Sequence, residues 1–496
     1  MLFDRYRNIV AAHGEKVAME FGDHQISYHK LDEIVNRLAN SMRSLGVRKG
    51  DAVVLILPNV PHFVFGYLAT LALGAVVVPV SSSLSSDKIQ QIIDSTEASA
   101  IIYWEGYHER ICNLMRQFET VIVLGEEVPP YAKKMTTLIA QGATTQVVPE
   151  LSSADTVLIQ HTPGIENSFK SIALSYASLS FAVKAFIGIA DVKESDVFGA
   201  LLPLTSLLSQ VFIVGAALTR GAKIVLHPAV NEICMRKSVF EDAVTIMTGG
   251  PNLFELLLNT NNNDTNTSLR RAFTTGSRSY DLLMNRFQER FGIPLRNIYG
   301  LTEACGLVSA CGGDEDVRTG AVGRVVYGLD VMIVNKEGIK QEHNEIGEII
   351  VRGPAVMKGY LNHKDEKSSA LHNDWLHTGD LGKMDEYGNL FFVDRQDDVI
   401  VKGGFHIYPS EVESLLNAHP KVEKVSVIGQ PHPAHKYEVK ACVVLRSGEN
   451  ATAEELIEYC REQAPVYKCP QIIKFYNTLP QTNLGKVIKR KLRQDN

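Results

Sequence analysis

Short apolar runs alternate with longer amphipathic stretches along most of the chain. Ala52–Leu57 is one such run, Val60–Leu73 then predicts a helix, and Gly74–Val80 predicts the next buried strand. The same strand pattern recurs at Ser99–Tyr103, Thr120–Leu124 and Lys223–Leu226. Apolar strands that alternate with helices are typical of largely parallel sheets buried under helices. We therefore predict an α/β fold.

The pattern changes in the last third of the chain. From about Val322 the predicted strands are shorter and glycine turns separate them, at Val331–Val334, Glu348–Arg352 and Asn389–Val393. We interpret this stretch as a β-rich subdomain that completes a large N-terminal domain of stacked α/β sheets.

A compact α+β pattern follows Asp397. Its predicted helices and strands are Pro409–Ala418, Lys424–Ile428, Glu438–Leu445, Ala453–Gln463 and Ile472–Tyr476. A unit of about 100 residues has the size of an independent domain. We predict a large domain over residues 1–393, a hinge over 394–397 and a small, mobile C-terminal domain over 398–496.

Composition narrows the class of protein. A chain of 496 residues with 45% apolar and 21% charged residues is an ordinary globular protein with more than one core. The net charge of −6 argues against nucleic acid as a partner, because no basic excess offsets phosphates. We interpret the basic cluster Lys486–Arg493 as a solvated helix face.

The cysteines and the apolar stretches indicate the cellular compartment and whether the chain enters a membrane. The seven cysteines form no CxxC pair and the first residues lack an apolar signal core, so we expect a reduced, cytoplasmic protein. Phe63–Val80 and Val197–Thr219 are long enough to cross a bilayer but contain glycine, proline or polar residues. We interpret both as buried core segments and expect no membrane span.

Candidate chemistry lies in short motifs through the last two hundred residues. They are YGLTEA at Tyr299–Ala304, WLHTGD at Trp375–Asp380, DRQDD at Asp394–Asp398, KGGFHIYP at Lys402–Pro409 and the GK of PQTNLGK at Gly485–Lys486. Their order and spacing resemble the adenylate-forming superfamily of acyl-CoA synthetases, luciferases and peptide-synthetase adenylation domains. The resemblance extends from Ile26–Leu31 to Lys486, and within the superfamily the sequence most resembles fatty-acid–CoA ligases.

The resemblance implies a reaction. ATP would activate a carboxylic acid to an acyl-adenylate, and the acyl group would pass to the thiol of CoA or of a carrier-protein phosphopantetheine. The implied cofactors are ATP, Mg²⁺ and CoA, or carrier phosphopantetheine in place of CoA. The implied partners are a small carboxylic acid and CoA or an acyl carrier protein, with a homodimer as one candidate assembly.

A site that performs adenylation must bind the phosphates, hold the ribose and neutralise the charge that develops at the α-phosphate. By resemblance, Asp380, which the motif places between strand and turn, grips the ribose together with Arg395. Glu303 ligates magnesium and Thr302 donates to a phosphate. Lys486 bridges the substrate carboxylate and the α-phosphate. The alternatives are an ordinary turn aspartate at 380 and a surface lysine at 486.

Other roles follow from the same resemblance. Asp397 is the expected hinge residue. Lys402, Gly403 and Gly404 would lie beside the pantetheine, where glycines let a backbone approach closely. The remaining cofactor-binding candidates are Thr162, Gly164, Lys170, Thr275, Gly276, Tyr299 and Gly300.

The chain departs from the family's phosphate loop, which reads close to YTSGTTGxPKG. The aligned segment His161–Ser171 keeps Thr162, Gly164 and Lys170 but loses most of the hydroxyl and glycine positions. Glu166 would place a carboxylate beside a triphosphate, at a cost on the order of 3 kcal/mol per charge pair at about 5 Å. The family's PLFHxxG segment, Pro203–Ser209 here, has lost its aromatic residue and its histidine.

Two functional interpretations remain open on the sequence alone. The first is an acid–thiol ligase with an altered phosphate grip; the second is a weakly active or non-catalytic relative that binds a nucleotide or acyl ligand.

The expected acyl pocket consists of the segments Ser206–Val214, Gly250–Leu253, Thr274–Ser277 and Gly300–Leu301. Their residues are apolar or small, which favours an aliphatic or aryl monocarboxylate. Four apolar residues in and next to the first segment could equally belong to the core: Leu204, Leu207, Leu208 and Phe212.

Overall fold

A computed structural model provides the fold. It describes residues 2–163, 169–260, 267–277, 281–313, 318–361, 370–402, 405–432, 436–482 and 485–495. Gly164, Ile165, Glu166, Gly403 and Gly404 lie outside the described residues. Helices and strands are numbered below in chain order.

The first large sheet has eight strands within the described residues, and its centre is parallel. In spatial order its strands are β19 (Gly359–Tyr360), β9 (Phe169–Ser175), β8 (Thr156–Pro163), β4 (Val76–Pro79), β3 (Ala52–Ile56), β5 (Ala100–Trp104), β6 (Thr120–Leu124) and β7 (Lys133–Lys134). Strands β8 and β9 form an antiparallel hairpin in which Thr162 is opposite Lys170. Thr162 and Lys170, two retained positions of the expected phosphate loop, thus lie on the two strands of this hairpin.

The second large sheet has nine strands in the part of the chain that the structure describes. In spatial order they are β16 (Arg324–Val325), β15 (Ser309–Ala310), β14 (Leu295–Tyr299), β13 (Arg271–Thr274), β12 (Ile246–Gly249), β10 (Val197–Ala200), β11 (Lys223–Leu226), β1 (Val17–Phe21) and β2 (His24–Ser27). The run from β14 to β1 is parallel, so the carboxyl ends of these strands meet at one edge, where α/β enzymes bind ligands.

Helices cover these sheets. Those before residue 300 are α1 (Leu2–His13), α2 (Tyr28–Ser44), α3 (Pro61–Ala72), α4 (Ser86–Thr96), α5 (His108–Ile111), α6 (Met135–Gln141), α7 (Tyr176–Ile189), α8 (Ala216–Arg220), α9 (Glu232–Arg236), α10 (Pro251–Leu258) and α11 (Asp281–Phe291). Local chemistry sets their starts: the Ser27 side chain caps α2, and prolines open α3 and α10. Eleven of the twelve residues of α3 are buried, which explains the uniform apolarity of this helix.

The β-rich subdomain follows. Its strands are β17 (Asp330–Val334), β18 (Gly347–Arg352), β20 (Leu371–His372), β21 (Trp375–Met384) and β22 (Leu390–Arg395). All pairings within it are antiparallel, and β22 pairs with β21. The main hydrophobic core extends as far as Leu390 along the chain.

A separate hydrophobic cluster begins at Ile400. The elements of the C-terminal unit are β23 (Ile400–Lys402), β24 (Phe405–Ile407), α12 (Pro409–Asn417), β25 (Val422–His432), β26 (Lys436–Leu445), α13 (Ala453–Gln463), β27 (Ile472–Phe475) and α14 (Lys489–Gln494). The three strands β25, β26 and β27 form one sheet. The α/β class with a smaller α+β C-terminal unit is confirmed.

Most predicted elements appear with shifts of one or two residues at their ends; β25 extends further, to His432. Phe63–Val80 and Val197–Thr219 are buried segments, and no described helix is long and apolar enough to cross a membrane. The basic cluster is more than a solvated face: Lys489 pairs with Glu413 at 2.9 Å, and Arg493 pairs with Asp398.

Candidate active site

Asp380 and Arg395 are brought together by strand pairing. They are opposite each other in the β21–β22 ladder, and Nη1 of Arg395 lies 3.0 Å from Oδ1 of Asp380. The sequence placed Asp380 between a strand and a turn, and this was wrong. The residue lies inside a ten-residue strand, where Gly379 has a φ of +67° and the register shifts after Leu381.

The Asp380 carboxylate has a second partner from the parallel sheet. Tyr299, the last residue of β14, donates from its hydroxyl to Oδ2 of Asp380 at 2.8 Å. Burial raises the pKa of Asp380, although the charge of Arg395 and the Tyr299 hydrogen bond both favour the ionised form. The Asp380 side chain is 7% exposed and the Arg395 side chain 40%, so the guanidinium faces the open side of the site.

One oxygen of Asp380 has an unused acceptor site. Oδ1 is buried and, among the described residues, receives no hydrogen bond, because its contact with Arg395 is an ion pair without hydrogen-bond alignment. A ribose hydroxyl could supply the missing donor. The pair therefore fits the ribose of a nucleotide.

Glu303 lies on the turn that follows β14. Residues Thr302–Ala304 form a single 3₁₀ turn, and Oε1 of Glu303 accepts a hydrogen bond from the Tyr360 hydroxyl at 2.9 Å. Lys170, from the return strand of the hairpin, places its ammonium 4.9 Å from the centre of the Tyr360 ring. The carboxylate and the remaining phosphate-loop cation thus share Tyr360 as a neighbour.

A lone carboxylate suits magnesium better than a transition metal. Among the described residues no group of three His, Cys, Asp or Glu side chains could hold a metal ion. Magnesium keeps most of its own waters and takes phosphate oxygens, so Glu303 with a bound nucleotide fits it.

Close backbone packing fixes the YGLTEA turn. A Cβ added at Gly300 would lie 2.2 Å from the carbonyl oxygen of Gly306, so this position requires glycine. Thr275 follows β13, is buried and donates its backbone N–H to Gly249 at 2.9 Å. Thr275, Gly276, Tyr299 and Gly300 therefore lie at the carboxyl ends of neighbouring parallel strands.

Lys486 belongs to the C-terminal unit and reaches the same site. Its backbone N–H donates to the Thr482 side chain at 3.2 Å, within a tight turn. The side chain keeps contact with solvent, but the walls of the cleft partly desolvate it. This burial and the nearby positive charge of Arg395 lower the pKa of Lys486, while Asp380 opposes the shift. The structure thus places Lys486 within electrostatic reach of the Asp380–Arg395 pair.

Helix α10 contacts the C-terminal unit in two places. Asn252 donates to the side-chain oxygen of Gln481 at 3.0 Å, and Glu255 pairs with Lys424 at 3.0 Å. These contacts were not predicted, because nothing in a partly exposed Asn or Glu on a helix reveals a partner 169 or 229 residues away. They fix the side of the cleft from which the Lys486 turn approaches.

The remaining predicted residues are placed as follows. Asp397 is exposed in the 3₁₀ turn Gln396–Asp398, which connects β22 to β23. Lys402 is the last residue of β23 and lies opposite Phe405. Next to the altered loop, burial lowers the pKa of His161 to about 4, so this imidazole carries no charge for a phosphate at neutral pH.

Some residues predicted to line the acyl pocket belong to the hydrophobic core instead. Leu204 and Phe212 are fully buried in the main core, where Phe212 stacks on Phe186 with a centroid separation of 4.5 Å. Leu208 is only partly buried, and its Cδ2 lies 3.6 Å from the position that a Cβ on Gly306 would take. Leu208 is therefore the stronger pocket candidate of the predicted leucines.

The site brings together a buried carboxylate paired with a guanidinium, a second carboxylate on a tight turn and a lysine from the C-terminal unit. This arrangement fits the class of adenylate-forming enzymes. The chain belongs to the AMP-binding enzyme family, whose family model matches residues 6–361. The model described as AMP-binding enzyme C-terminal domain matches residues 411–486.

Similar proteins support the same class. A crotonobetaine/carnitine–CoA ligase of Salmonella typhimurium is 28% identical, over 98% of this chain and 97% of the relative. A putative acyl–CoA ligase of Bacillus subtilis, YdaB, is 30% identical, over 96% of this chain and 95% of the relative. The crystal structure of ATP-bound MatB from Rhodopseudomonas palustris has a TM-score of 0.93 and 25% identity, and the match covers 100% of this chain and 98% of that one.

These findings confirm the enzyme class expected from the sequence. The chain is an ATP-dependent acid–thiol ligase of the acyl-CoA ligase type, which forms an acyl-adenylate and uses ATP, Mg²⁺ and CoA. The alternative of a non-catalytic binding protein is not favoured.

Proposed function

We propose that this chain activates an aliphatic or aryl monocarboxylate and transfers the acyl group to CoA, with the site residues in the following roles. Asp380 and Arg395 hold the ribose, and Tyr299 orients Asp380. Thr302 and Lys170 contact phosphate oxygens. Glu303 holds Mg²⁺, which neutralises phosphate charge when it is bound.

The observation that carries this proposal is the position of Lys486. The Asn252–Gln481 hydrogen bond holds the C-terminal turn before Lys486 against helix α10, and the charges of Asp380 and Arg395 act on the Lys486 ammonium. There it can contact both the attacking carboxylate and the α-phosphate. The carboxylate oxygen attacks the α-phosphorus, the bond to the bridging oxygen breaks, and pyrophosphate leaves with the electron pair.

The second half-reaction needs a different arrangement of the two units. We infer a large domain over 1–393, a hinge over 394–397 and a small domain over 398–496, because separate hydrophobic clusters lie on either side of Asp397. Rotation about Asp397 would withdraw Lys486 and present Lys402, Gly403 and Gly404 to the pantetheine. The CoA thiol then attacks the acyl carbon, its proton goes to solvent, and AMP leaves.

The substrate class rests on the composition of the pocket. None of the four pocket segments contains an acidic residue, and the one aromatic ring, Phe212, is stacked within the core. A quaternary ammonium such as that of carnitine is normally bound by aromatic faces or carboxylates. A neutral acyl chain or an aryl ring therefore fits this chain better than a betaine.

The proposal is tested by pyrophosphate release with ATP, Mg²⁺ and a panel of aliphatic, aryl and betaine acids. We expect release with particular uncharged acids and its collapse in Lys486→Ala. Lys491→Ala is the matched control, since Lys491 is exposed on α14 in the same basic cluster. Release that is independent of the acid, or equal in both variants, would overturn it.

A cytoplasmic location and a homodimeric assembly stay predictions. Sedimentation analysis of the purified chain measures the second.

A further inference from the structure

The segment Met357–Leu361 connects two parts of the site that the sequence treats as separate. At one end, the backbone N–H of Met357 donates to the carbonyl of Glu303 at 2.8 Å. At the other end, β19 pairs with β9, the return strand of the phosphate hairpin, and Tyr360 is opposite Ile172. The N–H of Leu361 donates to Ser171 at 2.9 Å. The segment that carries Tyr360 is thus fixed to the Glu303 turn at one end and to strand β9 at the other.

The conformation of this segment directs the Tyr360 side chain. Gly359 has a φ of +141°, a region that residues with a Cβ rarely adopt. Tyr360 is then half-buried, with its hydroxyl 2.9 Å from Oε1 of Glu303 and its ring 4.9 Å from Nζ of Lys170. One aromatic residue therefore contacts the magnesium-binding carboxylate at its polar end and the phosphate-loop lysine at its face.

We propose that Tyr360 is a positioning residue for the adenylation half-reaction: its hydroxyl holds one oxygen of Glu303 so that the other faces the metal, and its ring places Lys170 beside the phosphates. The inference rests on the proposed function and deepens it. The phosphate loop has lost most of its hydroxyl and glycine donors. Phosphate binding therefore depends more on Glu303 and Lys170, and on the neighbour that fixes these two charged groups.

The contacts separate the two roles of Tyr360. Tyr360→Phe removes the hydrogen bond to Glu303 but keeps the ring under Lys170, whereas Tyr360→Leu removes both. A carboxylate freed from its hydrogen bond samples more rotamers, so it binds the metal with a larger loss of conformational freedom. Tyr360→Phe should therefore weaken only the metal-dependent steps. Tyr360→Leu should also weaken nucleotide binding without metal.

The experiment measures, by calorimetry, the affinity of the purified chain for an α,β-methylene ATP analogue with and without Mg²⁺. In Tyr360→Phe we expect the affinity without Mg²⁺ to be unchanged. We expect the factor by which Mg²⁺ raises the affinity to be about fivefold to tenfold smaller than in the wild type. Tyr360→Leu should also weaken metal-free binding. Tyr327→Phe, at a tyrosine that is 98% exposed, is the matched control.

A double-mutant cycle decides whether Tyr360 acts through Glu303. In a Glu303→Gln background, Tyr360→Phe should have no further effect on the Mg²⁺ dependence. An additive effect there, or wild-type Mg²⁺ dependence in Tyr360→Phe alone, would overturn the inference while leaving the proposed function intact. Wild-type protein that binds the analogue without any Mg²⁺ dependence would instead overturn both.

Discussion

Asp380 and Arg395 face each other across two antiparallel strands, with Nη1 of Arg395 3.0 Å from Oδ1 of Asp380. The strand register alone brings the two residues together. Tyr299, from a different sheet, completes the group by donating to the other carboxylate oxygen. The proposed nucleotide-binding end of the site therefore lies where the parallel sheet meets the β-rich subdomain.

Tyr299→Phe tests this group directly. A hydrogen bond to a charged group contributes about 1.5–3 kcal/mol, so its loss should raise the KM for ATP about tenfold or more. We expect little change in the KM for the acid, because Tyr299 contacts Asp380, the carboxylate proposed to hold the ribose, and not the expected acyl pocket. Steady-state pyrophosphate release measures both constants. Equal changes in the two constants would count against the assignment.

The pH profile of adenylation should report the lowered pKa of Lys486. The reaction needs the charged ammonium, so activity falls as pH rises through the pKa of Lys486. Burial and Arg395 lower this pKa, and the alkaline limb should lie below the ordinary lysine value of about 10.4. Lys486→Arg should keep a small residual activity without this limb. An unshifted limb, or one that persists in Lys486→Arg, would assign it to another group.

The contacts of helix α10 should matter for only one half-reaction. Asn252→Ala combined with Glu255→Gln removes the hydrogen bond to Gln481 and the ion pair to Lys424. Because both contacts are partly exposed, we expect a loss of roughly fivefold in pyrophosphate release. Thioester formation from a supplied acyl-adenylate and CoA should be unchanged. The control is Glu289→Gln on α11, and equal losses in both half-reactions would contradict the prediction.

The altered phosphate loop should limit ATP affinity. Ile165→Thr with Glu166→Thr restores two hydroxyls of the family's loop and removes the carboxylate that the resemblance to that loop would place beside the triphosphate. A repulsion on the order of 3 kcal/mol at about 5 Å predicts a fall in the KM for ATP of about tenfold or more. The KM for AMP in the reverse reaction should change much less, since AMP lacks the β- and γ-phosphates. An unchanged KM for ATP would show that the altered loop does not weaken ATP binding.

His227 should make stability depend on pH in the acid range. Burial and the charge of Lys237 lower the pKa of His227 to about 4, and its Nε2 lies 3.3 Å from Oδ2 of buried Asp242. The unfolded chain binds this proton near pH 6.5, so stability falls as pH decreases from about 6.5 toward 4. Between pH 7 and 5 the contribution is about 2 kcal/mol.

The variant His227→Gln keeps a polar side chain and removes the titration. Its free energy of unfolding, from urea denaturation at pH 7 and pH 5, should decrease less than that of the wild type. His24→Gln, at an exposed histidine, is the control. The same decrease in wild type and His227→Gln would refute the assignment.

Sequence periodicity predicted the elements well where local patterning decides them. Thr120–Leu124 and Lys223–Leu226 are strands with the predicted bounds, and Ala453–Gln463 is a helix with the predicted bounds. The motifs located Asp380, Arg395, Glu303 and Lys486, and the fold brings these residues to one cleft. Their catalytic roles stay predictions.

The contacts that the sequence did not reveal are non-local. Tyr360 lies 57 residues from Glu303, and its hydrogen bond depends on how β19 pairs with β9. The Asn252–Gln481 contact spans 229 residues. Phe212 matched the pattern of a pocket residue and of a core residue equally, and its full burial and its stacking on Phe186 assigned it to the core. Periodicity reports which face is buried, but it does not identify the partner.

The most direct test of the central claim is a single-turnover reaction without CoA, quenched in acid and analysed by mass spectrometry. With a productive monocarboxylate, we expect one acyl-adenylate per active site, discharged to acyl-CoA and AMP when CoA is added. Lys486→Ala should form none on the same timescale. Wild-type enzyme that converts no acid to an acyl-adenylate, while still binding AMP, would contradict the account.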